Sequence, residues 1–329
     1  IFNSTLAPAL ILIGFSIAGA VSGYVLSLVV TSVAAVTMLF TRHAGSTRRK
    51  EGSSLVELSV LLRYGLPLYF ATILAVFLTH YQNIVLAHFA TNLEIGNFNA
   101  ASNFNMMMMI LIYPIATAMF PMFSKMDPAN HRSELARAFA LAAKYMSLLI
   151  VPASLAVMVF SRDLVYVTYG RGYSLAPQYL TLLSSIYVLT GIGYVVLGSF
   201  LNGVAETKTI LKMSILTLAL YLPLGPALTW LWGPYGLLIT SILSSTTSTL
   251  YGMHEASMKF GARPDLKASA RILIAALVAA IPTIALLQLH ATGTGIVNLV
   301  FGGSLYLVAY LTLVPVLGAV GKSDLDNLK

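Results

Sequence analysis

Ten apolar runs, most of them near twenty residues long, leave this chain few ways to fold. Short polar or basic segments separate them, and they lie near residues 2–17, 20–41, 64–90, 96–124, 144–160, 176–204, 209–230, 235–258, 268–289 and 295–319. About twenty apolar residues in a helix span the hydrocarbon core of a bilayer. Charged residues make up only 9% of the 329 positions, against roughly 25% in soluble domains. The pattern predicts an all-α polytopic membrane protein with about ten transmembrane helices.

The basic residues fall almost entirely on one side of the predicted membrane. When the runs are taken as alternating spans, seventeen of the nineteen Lys and Arg residues lie on one side, and only Arg162 and Arg171 lie on the other. Because cytoplasmic loops carry the excess of Lys and Arg, that side, with the C-terminus, is predicted to be cytoplasmic in a cell membrane. This placement accounts for the net charge of +8, and nucleic acid is not an expected partner.

Two of the runs predict a hairpin that is rich in polar side chains. Residues 64–90 and 96–124 are joined by the short break TNLEI. Amides and imidazoles are costly in hydrocarbon, so they are expected to face a watery pathway or to form hydrogen bonds between helices. The polar residues around the break and inside both runs are His80, Gln82, Asn83, His88, Asn97, Asn99, Asn103 and Asn105.

The sequence shows none of the usual patterns of a catalytic or metal centre. It has no Cys, its six His form no i, i+4 pair, and no acidic residue lies deep in an apolar run. Neither a metal site nor a cofactor is predicted, and the chain is not expected to be an enzyme. The chain starts at Ile1 rather than Met, and it is expected to be the later part of a longer protein.

Four segments carry a resemblance that covers nearly the whole chain. The longest, RYGLPLYFATILAVFLTHYQNIVLAHFATNLEIGNFNAASNF, occupies residues 63–104. It is followed by FPMFSKM at 120–126, YGRGYSLAP at 169–177, and LNGVAETKTILKMS at 201–214 with GPYGLLITSILSS at 233–245. In this order the segments resemble the polysaccharide flippases, which share a superfamily with the multidrug antiporters of the MATE type and the peptidoglycan-precursor flippase MurJ.

The resemblance implies a full-length protein of twelve to fourteen helices, in two six-helix lobes that face each other across a central cavity. Residues 1–41 would then be the last helices of the first lobe, 54–260 the second six-helix lobe, and 262–329 an extra C-terminal pair. Members of the family often carry an acid just before the Ile/Leu stretch that begins at Ile84, whereas this sequence has Asn83 there. Ion coupling through a buried carboxylate is therefore not expected in this half.

The function implied by the resemblance is flipping of a lipid-linked oligosaccharide, held on a polyprenyl or dolichyl phosphate, across the cytoplasmic membrane. Membrane lipids, this substrate and glycan-assembly enzymes are the candidate partners. Arg63, Arg162 and Arg171 are predicted to contact the phosphate at the two mouths, with interfacial anchoring as the alternative. A MATE-like small-molecule antiporter and a non-transporting assembly subunit are the other functions considered. The residues predicted to line the pathway are His80, Tyr81, Gln82, Asn83, Asn99, Asn103 and Asn105.

Overall fold

The computed structural model describes residues 16–43, 54–128, 130–289 and 295–320, and the regular elements in these ranges are all helices. The chain divides into two compact units, residues 1–59 and 60–329. A 3₁₀ segment, Ile186–Ile192, joins α6 to α7, and α11 contains a π-helical turn at Asn298–Gly302. The helices are α1 Ser16–His43, α2 Ser54–Phe89, α3 Asn92–Ser124, α4 Arg132–Val159, α5 Ser161–Thr168, α6 Ala176–Ser185, α7 Tyr194–Gly203, α8 Thr207–Trp232, α9 Pro234–Phe260, α10 Leu266–Leu289 and α11 Gly295–Val316.

Six of the described helices are long and apolar enough to cross a membrane: α2, α3, α4, α8, α10 and α11. The bent pair of α6 and α7 makes a seventh span when it is counted as one. The all-α membrane fold is confirmed, but the predicted count of about ten spans is not. α9 is 27 residues long, yet its central Ser/Thr run lowers its mean hydropathy. The apolar part of α1 is the shorter stretch Ser22–Met38, and the predicted run 2–17 lies almost entirely outside the described residues.

The predicted hairpin is formed by α2 and α3, with a turn shorter than the five-residue break. The first N–H groups of a helix have no acceptor within it. Here the Glu94 N–H donates to Thr91 Oγ1 at 3.3 Å, and the Thr91 N–H donates to the Glu94 carboxylate at 2.8 Å. This capping box sets the start of α3 at Asn92, so most of TNLEI is helical.

The span made by α6 and α7 bends by 56° at Gly193, whose φ is +96°. Only glycine adopts this left-handed conformation at little cost. Two carbonyls before the bend accept hydrogen bonds from other helices, because Ser147 Oγ donates to Thr190 O at 3.1 Å and Ser269 Oγ donates to Gly191 O at 2.7 Å. Irregular backbone at membrane depth needs such partners, since no water is present to supply them.

A proline in α4 provides the attachment point for α11. Pro152 has no N–H, so the carbonyl of Leu148, four residues earlier, lacks its usual helical donor. The Tyr310 hydroxyl of α11 donates to that carbonyl at 2.9 Å, and Tyr306, one turn away, donates to Pro152 O at 3.1 Å. Both tyrosines are buried, so the C-terminal helix is fixed to α4 by hydrogen bonds as well as by packing.

Candidate functional site

A stripe of exposed polar residues runs along α2. Thr72, Thr79 and Asn83 are all exposed, and their spacing of seven and four residues places them on one face of the helix. The two threonine hydroxyls donate to carbonyls of their own helix at 2.9 and 3.0 Å. The Asn83 amide has no hydrogen-bond partner among the described residues, so it is available to a ligand or to water.

A second stripe with the same spacing lies on α3. It consists of Asn92, Asn99 and Asn103, and all three are exposed. Asn103 Nδ2 donates to the hydroxyl of Tyr169 at 3.0 Å. Within the described ranges, Asn92 and Asn99 have no such partner. Three amides on one exposed face of an apolar helix are a costly arrangement in lipid.

Asn97 and Asn105 of α3 form hydrogen bonds with neighbouring segments of the structure. Asn97 is only 2% exposed, and its side-chain oxygen accepts from the N–H groups of Leu175 and Ala176, both at 3.0 Å. Asn105 accepts a hydrogen bond from the Tyr187 hydroxyl at 2.5 Å. The structure therefore separates Asn105 from the exposed stripe of Asn99 and Asn103 with which it was predicted.

Tyr81 and Gln82 point from α2 towards α8. Pro226 lacks an N–H, so the Leu222 carbonyl of α8 has no intrahelical donor. The Tyr81 hydroxyl donates to this carbonyl at 2.8 Å. Gln82 lies close to the Tyr221 hydroxyl of α8, which accepts a hydrogen bond from Ser241 Oγ of α9 at 3.3 Å. Tyr81 therefore attaches this part of α2 to α8.

Replacing Tyr81 with phenylalanine is expected to lower the free energy of unfolding by about 1 kcal/mol, because the Leu222 carbonyl loses its donor. In a Pro226→Ala background the restored N–H would supply that donor, so Tyr81→Phe should cost much less. Thermal unfolding of the four variants in detergent measures this double-mutant cycle. Tyr69→Phe is the control, since Tyr69 is 62% exposed. Equal costs of Tyr81→Phe in both backgrounds would contradict the assignment.

His80 and the three predicted arginines do not form one cluster. His80 is exposed, and its neighbours one turn away on α2 include the exposed hydrophobic residues Phe77 and Ile84. Arg162 is exposed and its guanidinium carbon lies 5.5 Å from the centre of the Tyr166 ring. Arg63 and Arg171 are also exposed, on α2 and in the turn between α5 and α6.

The arginines lie at opposite ends of the helix bundle. Next to Arg63, Tyr64 donates to the Asn202 carbonyl at the end of α7. That end of α7 adjoins the start of α4, since the rings of Phe200 and Phe139 are 5.0 Å apart. Arg162 follows the other end of α4, which is 28 residues long and so about 42 Å in length. Arg63 is therefore separated from Arg162 and Arg171 by roughly the thickness of a membrane.

Two cavities of about 400 Å³ each lie between the helices, and neither is lined by the predicted pathway residues. One lies between α2, α3 and α7, with Tyr64, Tyr113, Thr117 and Asn202 among its lining residues. The other lies between α3, α7, α8 and α9. The side chains that line the second cavity with hydroxyl groups are Tyr187, Tyr194, Ser214, Thr217, Ser245, Ser248 and Thr249.

The fold and the composition define a multi-pass membrane protein. The family model described as "Polysaccharide biosynthesis protein" matches residues 1–178, and the chain belongs to that family. The resemblance seen in the sequence is thereby confirmed at the level of the family.

Two curated relatives and one solved structure are similar to this chain. The probable low-salt glycan biosynthesis flippase Agl15 of Haloferax volcanii is 21% identical over 170 residues, which is 52% of this chain and 36% of that protein. The putative O-antigen transporter of Shigella dysenteriae is 24% identical over 198 residues, 60% of this chain and 49% of that protein. The structure of lipid II flippase MurJ in an inward closed conformation matches with a TM-score of 0.68 at 13% identity. The match covers 95% of this chain and 66% of the MurJ chain, and it establishes the fold.

Proposed function

We propose that this chain is part of a flippase that carries a lipid-linked oligosaccharide from the cytoplasmic to the outer leaflet of the cell membrane. Membership of the polysaccharide biosynthesis family supports this function, as do the names of two relatives, one a glycan biosynthesis flippase and the other an O-antigen transporter. The chain matches between about a third and a half of the length of those relatives. Its own contribution is one wall of the pathway, and no enzymatic step is proposed.

The observation that carries the proposal is the pair of exposed polar stripes on α2 and α3. Asn83 and Asn99 offer amides without partners among the described residues, on helices of membrane-spanning length. An unpaired amide facing lipid would cost several kcal/mol, roughly 2–7 by transfer measurements. A pathway that admits water and sugar hydroxyls removes this cost, and it gives the polar head of the substrate a route across about 30 Å of hydrocarbon.

We propose the membrane orientation that the distribution of Lys and Arg residues indicates, with the C-terminus in the cytoplasm. Arg63 then lies at the cytoplasmic end and Arg162 and Arg171 at the outer end, where each is proposed to contact the phosphate of the substrate. Two exposed tryptophans at the end of α8, Trp230 and Trp232, would lie at the outer interface. Tryptophan is enriched at membrane interfaces, which supports this orientation.

Asn99→Leu and Asn83→Leu in the full-length protein are expected to reduce glycan export roughly tenfold each, because each removes a hydrogen-bonding group from the pathway. Neither should destabilise the protein, since both side chains are exposed. The measurement is lipid-linked oligosaccharide accumulated on the inner leaflet at matched expression. Thr312→Leu, at an exposed threonine of α11, is the control and should leave export unchanged. Normal export by both asparagine variants would argue against these stripes as the pathway wall.

A further inference from the structure

The turn at residues 169–173, between α5 and α6, carries two half-buried tyrosines and an exposed arginine. Gly170 has a φ of +83°, and the Tyr173 N–H donates to Gly170 O at 3.5 Å, which closes the turn. The rings of Tyr169 and Tyr173 lie 5.3 Å apart at an angle of 53°. Arg171, at the tip, is exposed and has no ion pair with any residue in the described ranges.

The 169–173 turn is held in place by contacts with α3. Asn103 donates to the Tyr169 hydroxyl at 3.0 Å, and the Phe104 ring meets the Tyr169 ring edge to face at 5.8 Å. The buried Asn97 accepts from the N–H of Leu175, just beyond the turn, at 3.0 Å. Two of these contacts hold Tyr169 and the third holds the chain just beyond Tyr173, whose ring packs on that of Tyr169. Such preorganisation lowers the entropic cost of binding a ligand.

The backbone of the turn is open at both of its glycines. A Cβ atom added at Gly170 or at Gly172 would meet no other atom within 4 Å, so a ligand can approach the backbone there. The exposed Asn99 lies one helical turn from Asn103 on α3. Two half-buried aromatic rings, a guanidinium and the free amide of Asn99 are therefore gathered in one place, on the same side as Arg162.

We propose that the 169–173 turn is a sugar-binding subsite for the first sugars of the lipid-linked glycan. Sugar rings present an apolar C–H face and a rim of hydroxyls. The rings of Tyr169 and Tyr173 contact the C–H face, Asn99 binds hydroxyls, and Arg171 binds the adjoining phosphate through charge-assisted hydrogen bonds. This subsite rests on the proposed function, and it specifies which part of the substrate meets the outer end of the pathway.

Occupancy of the subsite can be measured separately from transport. Ser174 is exposed and follows Tyr173 directly, and the 329 residues contain no cysteine. In the full-length protein, Ser174→Cys should be labelled by a membrane-impermeant maleimide in intact cells. Labelling should be slower in cells that make the lipid-linked glycan than in cells whose first glycosyl transfer is blocked. When Tyr173→Ala is combined with Ser174→Cys, this protection should be abolished. Export should fall about fivefold, because roughly 40 Å² of apolar contact with the sugar is lost.

Two matched variants make the result specific to an aromatic face. Tyr173→Phe keeps the ring and should keep both protection and export. Phe301→Ala removes a ring that is 66% exposed on α11 and should change neither.

Three outcomes would overturn the subsite. The first is equal labelling of Ser174→Cys with and without glycan synthesis, while export still depends on the protein. This result would leave the proposed function intact, and Tyr169 and Tyr173 would then be interfacial anchors. The second is labelling of Ser174→Cys only after the membrane is permeabilised. The third is unchanged export when the whole protein is deleted, which would remove the proposed function itself.

Discussion

Replacing Gly236 with alanine is expected to prevent α9 from packing against α8. A Cβ atom at position 236 would lie 1.9 Å from the carbonyl oxygen of Leu228 and 2.8 Å from the backbone nitrogen of Thr229. The obstructing atoms belong to the backbone, so no side-chain rotation can relieve the overlap. Overpacking a core costs about 1–3 kcal/mol when side chains can adjust, and here the expected loss in the free energy of unfolding is at the top of that range or beyond it. Small residues allow this kind of close approach between membrane helices.

The matched control is Gly198→Ala on α7. A Cβ atom at Gly198 would meet nothing within 4 Å, and alanine is favoured over glycine in helices by about 1 kcal/mol. This variant should therefore be as stable as the parent or slightly more stable. Thermal unfolding in detergent, with the amount of folded protein after size-exclusion chromatography, measures both changes. A wild-type unfolding temperature for Gly236→Ala would show that α8 and α9 are not in such close contact.

Most of the described helices were predictable from sequence because long apolar runs have few alternatives in a membrane. The bend in the run 176–204 was not predicted, although its signal, Gly193 after a second glycine at Gly191, is present. Ser147 and Ser269, which donate to carbonyls just before the bend, lie 43 and 78 residues away from those carbonyls in the sequence. Partners that distant are specified by packing, and periodicity carries no information about them.

The polar residues illustrate the same limit more sharply. Asn97, Asn99, Asn103 and Asn105 are of one type and lie on one helix, so composition gives all four the same interpretation. The 3.6-residue period separates the face of Asn99 and Asn103 from that of Asn97, but it does not say which face is covered. Tyr81 was likewise predicted to line the pathway, as one of its polar side chains. Its hydroxyl donates to a carbonyl freed by Pro226, a contact that only the structure shows.

Asn97→Leu is expected to lower the free energy of unfolding by about 2–4 kcal/mol. The Asn97 oxygen is the acceptor for the N–H groups of Leu175 and Ala176 at the start of α6, and Ala176 is fully buried. A buried donor that loses its acceptor costs roughly 1–3 kcal/mol, and this change affects two donors. Thermal unfolding of the purified protein measures the loss, and it should accompany a fall in the amount of protein in the membrane.

Two further variants separate this structural role from a role in transport. Asn97→Asp keeps the accepting oxygens and adds a negative charge at a helix N-terminus, where it is favourable, so most of the stability should remain. Asn99→Leu, the same substitution on the exposed face two residues away, should leave the unfolding temperature unchanged while reducing glycan export. The two leucine variants should thus differ in what they lower: Asn97→Leu should lower the free energy of unfolding, and Asn99→Leu should lower glycan export. If Asn97→Leu were as stable as the parent, α6 would have to begin without the Asn97 amide, and the 169–173 turn would lose one of its three attachments to α3.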